Sequence, residues 1–220
     1  ARIRAELDKA KAARDLELAA EHRRKYADFS AAFRKRAESL EFAKAISTGK
    51  DLRGGLPADL EKRLKDDLAL AAGGEAFVKT LCSRLSAAKW DSFLTTLPMG
   101  RAGRFRKFNA DKREIEFKFG PGWVSVRLSE FKGKHLLELA LNVPGQRFSA
   151  KDSRDAACCL LAQGESEGIA GLIRAAKAGG QDVKLLERRL GLLSKGEAEY
   201  EAEQLLNHFD AVLKQKNWTT

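Results

Sequence analysis

The sequence predicts an α+β protein, mostly helical, with a small antiparallel β-meander inserted between an N-terminal helical part and a C-terminal helical bundle. Three observations predict it. No Gly or Pro precedes Gly49, and Ala, Leu, Glu, Lys and Arg dominate that stretch, as in a long helix. Between Gly103 and Leu128 the apolar residues switch to a period of two. Beyond residue 132, apolar segments of helical period alternate with short Gly-containing loops. The corresponding parts are 1–100, 101–131 and 132–220.

Residues 1–47 read as the long first helix. Ile3, Leu7 and Ala10 share one face; Tyr26, Phe29, Phe33 and Ala37 continue at steps of three and four, and Phe42 and Ile46 follow. The spacing of the Phe stripe marks core. The charged, Ala-rich first half either protrudes or pairs with another helix. Gly49 is expected to end this helix. A second helix is expected from Ala58, after Pro57, to Ala72, with Leu60, Leu64 and Leu68 inward and Gly73-Gly74 as its stop. A third runs from Glu75 to Lys89 on Phe77, Leu81 and Leu85, and residues Trp90 to Leu97 read as one more helical turn.

In the middle part Ile115, Phe117 and Phe119 alternate with Glu114, Glu116 and Lys118, and Val124, Val126 and Leu128 alternate beyond the turn Gly120-Pro121-Gly122. Two such runs around a glycine turn predict a hairpin. A lone hairpin is marginal in water, so a third strand is expected over Arg104–Phe108. The last part predicts helices over Lys134–Leu141, Ser149–Gln163, Ile169–Ala178, Val183–Leu193 and Ala198–Asn217, with Ser149 and Asp152 forming a capping box.

The net charge of +10 is unevenly spread. Residues 1–53 carry 14 basic and 9 acidic side chains, residues 54–100 balance, residues 101–134 carry 10 and 4, and the remainder is close to neutral. A field centred on the first and middle segments attracts nucleic acid, anionic lipid or an acidic protein, and also serves solubility. Within it, Arg101, Arg104, Arg106, Lys107, Lys112 and Arg113 form the candidate anion or nucleic-acid surface, with Phe105 and Phe108 interleaved. Cations contact phosphates and exposed rings stack on unpaired bases. The competing reading places Phe105 in the core and leaves a solvated basic strand that deters edge pairing.

Motifs for catalysis are missing from the sequence. His22, His135 and His208 lie far apart in helical stretches, and no Gly-x-Ser-x-Gly or His-Glu-x-x-His pattern occurs. Ser47-Thr48-Gly49-Lys50 lacks the phosphate-loop spacing, and Gly100-Arg101-Ala102-Gly103 lacks the strand-then-helix context of a dinucleotide site. Glu197, Glu199, Glu201 and Glu203 suit the start of the last helix. Cys82, Cys158 and Cys159 show no ligand or disulfide spacing and read as buried thiols of a reducing compartment. No catalytic, metal or cofactor residue is therefore assigned. With no signal peptide and no apolar run of about 18 residues, a cytoplasmic location is expected; the start at Ala1 reads as a piece of a longer protein.

The run Arg127-Leu128-Ser129-Glu130-Phe131, followed by His135-Leu136-Leu137-Glu138-Leu139-Ala140, resembles the strand-to-helix exit of non-catalytic modules in large bacterial multidomain proteins, often kinase-associated. Leu128 stands where that pattern has Trp. Asp155 to Gly164 and Ile169 to Ala176 resemble the two helices of a tetratricopeptide-like pair, so the likeness spans about residues 103–180. It implies a scaffold or protein-binding role with no catalytic residues. The expected function is a non-enzymatic protein–protein interaction or scaffold module; the alternative is a nucleic-acid-binding module using segment 101–118. An unidentified protein is the expected partner and nucleic acid the second.

Overall fold

The computed structural model describes residues 2–144 and 148–195. Seven α-helices and one four-stranded sheet are formed there: α1 (Arg2–Glu38), α2 (Phe42–Asp51), α3 (Ala58–Ala87), β1 (Leu94–Thr96), β2 (Ala102–Asn109), β3 (Glu114–Phe119), β4 (Gly122–Arg127), α4 (Gly133–Asn142), α5 (Ala150–Ala162), α6 (Ile169–Ala178) and α7 (Lys184–Lys195). The α+β class and the insertion of the meander between two helical parts are as the sequence predicts. The helix expected over Ala198–Asn217, with its four glutamates and His208, lies outside the described residues.

One cluster of buried side chains runs from Phe29 in α1 to Leu186 in α7. The α1 stripe enters it through Phe29, Phe33 and Ala37. Before Tyr26 the described α1 side chains are exposed except for half-buried Ala19 and His22, and Leu16 is 73% exposed. At about 1.5 Å per residue the 24 helical residues before Tyr26 span roughly 36 Å, and their described side chains lie outside the core.

Three expectations are corrected. The first helix does not run to residue 47: the chain turns at Ser39–Glu41, where Leu40 takes a φ of +57°. Leu40 is buried there and its carbonyl accepts from Arg113 Nη1 at 3.1 Å, so a packed leucine holds a conformation usually given to glycine. Gly49 does not end that helix either. It lies inside α2 and is buried, and a Cβ on it would come within 2.6 Å of Leu68.

The second correction concerns Gly73-Gly74, which do not stop a helix. Helix α3 runs unbroken through both. A Cβ at Gly73 would lie 2.5 Å from Cys158, and one at Gly74 would lie 2.7 Å from the Phe42 ring. The pair lets α5 and α2 approach the α3 backbone, and this packing outweighs the helix cost of glycine, about 1 kcal/mol each.

The third correction is at Trp90–Leu97, which is no helical turn. It carries β1, so the sheet has four strands in the order β1-β2-β3-β4, all antiparallel. Glu138 of α4 accepts from the Thr96 backbone N–H at 3.1 Å and from its hydroxyl at 2.6 Å, which satisfies part of this edge strand.

The ladder between β2 and β3 contains a bulge. Phe105 pairs with Phe117 and Lys107 with Glu116, which leaves Arg106 as the extra residue. In a regular strand Phe105 and Phe108, three apart, would face opposite sides of the sheet. With the extra residue, Phe105 turns into the core and Phe108 follows it to the same side, beside Ile115. The inner face is filled by Phe105, Ile115, Phe117 and Val126, with Phe93 stacked on Phe105 at 4.7 Å and Phe131 against Phe117 at 6.0 Å.

The C-terminal helices form where expected. Ser149 and Asp152 make the predicted capping box at the start of α5. Arg84 of α3 donates to Asp152 at 2.8 Å, and Gln163 Nε2 donates to the Ala37 carbonyl at 3.2 Å, so α5 is tied to α3 and α1. Helix α7 is held to α3 by Arg188 on Asp66 and Arg189 on Asp67. Asp67 is buried and also accepts from the Tyr26 hydroxyl at 2.8 Å.

Candidate functional site

The bulge settles which side chains of the basic segment share a surface. Opposite the core, the register aligns Leu94, Arg104, Lys118 and Trp123 in one row across all four strands. Lys107, Glu116 and Ser125 form the next row, with the inserted Arg106 beside them. Cross-strand neighbours sit about 5 Å apart, so each row is a contiguous band of side chains.

Two tryptophans stand on this outer face. Trp90 is 63% exposed and Trp123 is 46% exposed, with ring centroids 5.9 Å apart in an edge-on arrangement. The Arg106 guanidinium lies 4.2 Å from the Trp123 ring centroid and 5.6 Å from that of Trp90. A planar cation over ring faces is held by the ring quadrupole. Glu116 fixes it further, accepting from Arg106 at 3.1 Å and pairing with Lys107 at 3.0 Å.

Around this centre Arg104 pairs with Asp91 at 2.9 Å, and Arg101 lies 5.6 Å over the Phe119 ring. Trp90, Asp91, Leu94, Ala102, Arg104, Lys118 and Gly120 line a shallow open trough beside the tryptophans. Five cations, Arg101, Arg104, Arg106, Lys107 and Lys118, therefore surround two carboxylates, Asp91 and Glu116, and both carboxylates are already paired. The face is positive and ringed by aromatic surface.

Of the six basic residues singled out in the sequence, the structure gathers Arg101, Arg104, Arg106 and Lys107 here. Lys112 and Arg113 sit in the turn at the far end of β2, where Arg113 clamps the Leu40 carbonyl. Phe105 is core, so it offers no ring to a ligand. The rings on this surface are Trp90 and Trp123, which the basic pattern alone does not reveal. One signal existed: Trp123 is out of phase with the inward Val124 and Val126, hence placed outward beside the cationic strand.

Elsewhere among the described residues no three His, Cys, Asp or Glu side chains group as a metal site requires. Cys158 and Cys159 are buried, and burial pushes the Cys158 thiol up to about 12. Cys82 is half-buried and its thiol is also raised by burial. No described helix is long and apolar enough to cross a membrane. No family model, curated protein or solved structure matches the chain.

Proposed function

We propose that the chain is a non-enzymatic interaction module, a protein-binding or scaffold unit, that receives an anionic partner on the outer face of its sheet. The observation that carries this reading is the pair of exposed rings, Trp90 and Trp123, set among five cations on a sheet whose other face is core. Large aromatic side chains and arginine are the types that dominate binding energy at recognition surfaces. Catalysis by contrast needs convergent acid, base or nucleophilic groups. On this face Asp91, Glu114 and Glu116 are committed to arginine and lysine partners.

A charge-reversal comparison tests the proposal. Glu in place of Arg104, Arg106 and Lys107 should abolish binding of a fluorescent polyglutamate or oligonucleotide probe at low salt. Reversal of Lys112 and Arg113, at the far end of β2, should leave most of it. Equal loss from both sets would mean a diffuse charge effect and would remove the face from consideration.

The nucleic-acid reading of segment 101–118 is favoured by one further feature. The face presents flat rings as well as charge, and unpaired bases stack on such rings.

A further inference from the structure

We infer that the outer face of the sheet binds single-stranded nucleic acid, with unpaired bases stacking on Trp90 and Trp123 and the phosphates lying along Arg101, Arg104 and Lys118. The inference rests on the anionic-partner reading above and names the partner for the same face.

Shape argues first. The trough is open, and Trp90, Leu94, Lys118 and Gly120 are among the residues that line it. A strand with splayed bases lies on such a surface. A duplex keeps its base faces stacked internally and offers nothing to the tryptophans.

The arrangement of rings and cations argues second. The two indoles are centred 5.9 Å apart, with the Arg106 guanidinium beside both and nearer to Trp123. A guanidinium is itself a flat cation on which bases stack. Bases joined by a charged backbone match this combination of flat surfaces and positive charge. An acidic peptide would satisfy the charge and make no use of the exposed ring surface. Burying this aromatic surface adds to the affinity that the phosphate contacts supply.

Position argues third. The row Leu94–Arg104–Lys118–Trp123 crosses the four strands, so its cations are fixed by backbone hydrogen bonding and not by long flexible loops. Arg104 is held in addition by Asp91, whose backbone N–H donates to the Phe105 carbonyl at 2.9 Å. A face held rigid in advance loses little conformational freedom on binding.

The experiment titrates the purified full chain into three labelled probes at low and at physiological salt: a single-stranded oligonucleotide, a duplex of the same sequence, and polyglutamate. Fluorescence anisotropy reports binding, and the tryptophan emission reports stacking. The expected result is preference for the single strand, quenching of tryptophan emission, and affinity that falls steeply with salt. Replacing both tryptophans (W90A with W123A) should weaken single-strand binding about tenfold or more, whereas W90F with W123F, which keeps the rings, should retain most of it. Thermal melting of each variant verifies that the exposed positions are tolerated.

Single-strand binding unchanged in the alanine variant would overturn the stacking assignment and leave the anionic-partner reading standing. Binding of polyglutamate without binding of any oligonucleotide would overturn the nucleic-acid inference alone. Failure to bind any of the three probes at low salt would overturn both readings.

Discussion

Gly73 in α3 faces Cys158 in α5 so closely that a methyl group on the glycine would lie 2.5 Å from both the Cβ and the Sγ of the cysteine. The next residue, Gly74, does the same to the Phe42 ring of α2. Two neighbouring glycines thus set the distance between α3 and two other helices. Gly73→Ala and Gly74→Ala should each lower stability by about 1–3 kcal/mol despite alanine's higher helix propensity. The measurement is chemical denaturation. For Gly74→Ala the loss should shrink when Phe42→Leu is added, because the two sites touch. A stabilising effect from either alanine would show that the helices have room to part.

The buried carboxylate of Asp67 gives a prediction that depends on pH. Burial pushes this group above the usual carboxylate range, although Arg189 and the Tyr26 hydroxyl both bond it. Arg189→Met removes the cation and leaves the carboxylate in place, which should cost about 3 kcal/mol at neutral pH. A raised folded value means that the folded state holds the proton more tightly than the unfolded chain. Stability relative to neutral pH therefore gains as pH falls through the folded value towards 3.8, the ordinary one. The deficit of Arg189→Met should be largest near neutrality and narrow in mild acid. A deficit that stays constant over that range would mean Asp67 does not titrate there.

Asp152 behaves in the opposite sense. Burial works against its charge, but hydrogen bonds from the Ser149 backbone and hydroxyl, with Arg84 close by, outweigh it and hold the carboxyl below its usual range. Its contribution is fully present above the ordinary value of 3.8 and is lost as pH falls through the lower folded value. Asp152→Asn should cost about 1–2 kcal/mol at neutral pH, and wild type and variant should converge in strong acid. Denaturation curves at the two extremes would expose a failure to converge.

The thiols should separate by burial. Cys82 is half-buried while Cys158 and Cys159 are enclosed, and burial raises all three thiols. A thiol must ionise and be reached before it is alkylated. Mass spectrometry after brief iodoacetamide treatment should find Cys82 modified first, with the α5 pair protected until the chain unfolds. Equal rates under native conditions would show that α5 opens readily.

Much of this architecture is readable from periodicity. The hairpin of β3 and β4, the capping box at Ser149 and the helices α4 to α7 follow from spacing and turn residues that act locally. The failures share a different physics. Gly73, Gly74 and Gly49 read as stops because glycine is a poor helix former; their use is in contacts with residues distant in sequence. Leu40 occupies a left-handed turn that no glycine announces. Strand β1 is three residues long and pairs only with β2, which lies beyond Pro98 and Gly100, so no alternation marks it. The candidate site divides in the same way. Four of its five cations lie close enough in sequence to be noticed, whereas Lys118, Trp90 and Trp123 join them only through the order of the strands.

The bulge at Arg106 has a further consequence. Strike that one residue out and Phe105, Lys107 and Phe108 fall into a regular inward, outward, inward ladder against Phe117, Glu116 and Ile115. The sheet thus contains, one codon away, a simpler version of itself with the same core and no arginine against its two indoles. That shortened chain is the natural comparator for the outer surface, since it separates what the architecture requires from what the inserted arginine adds.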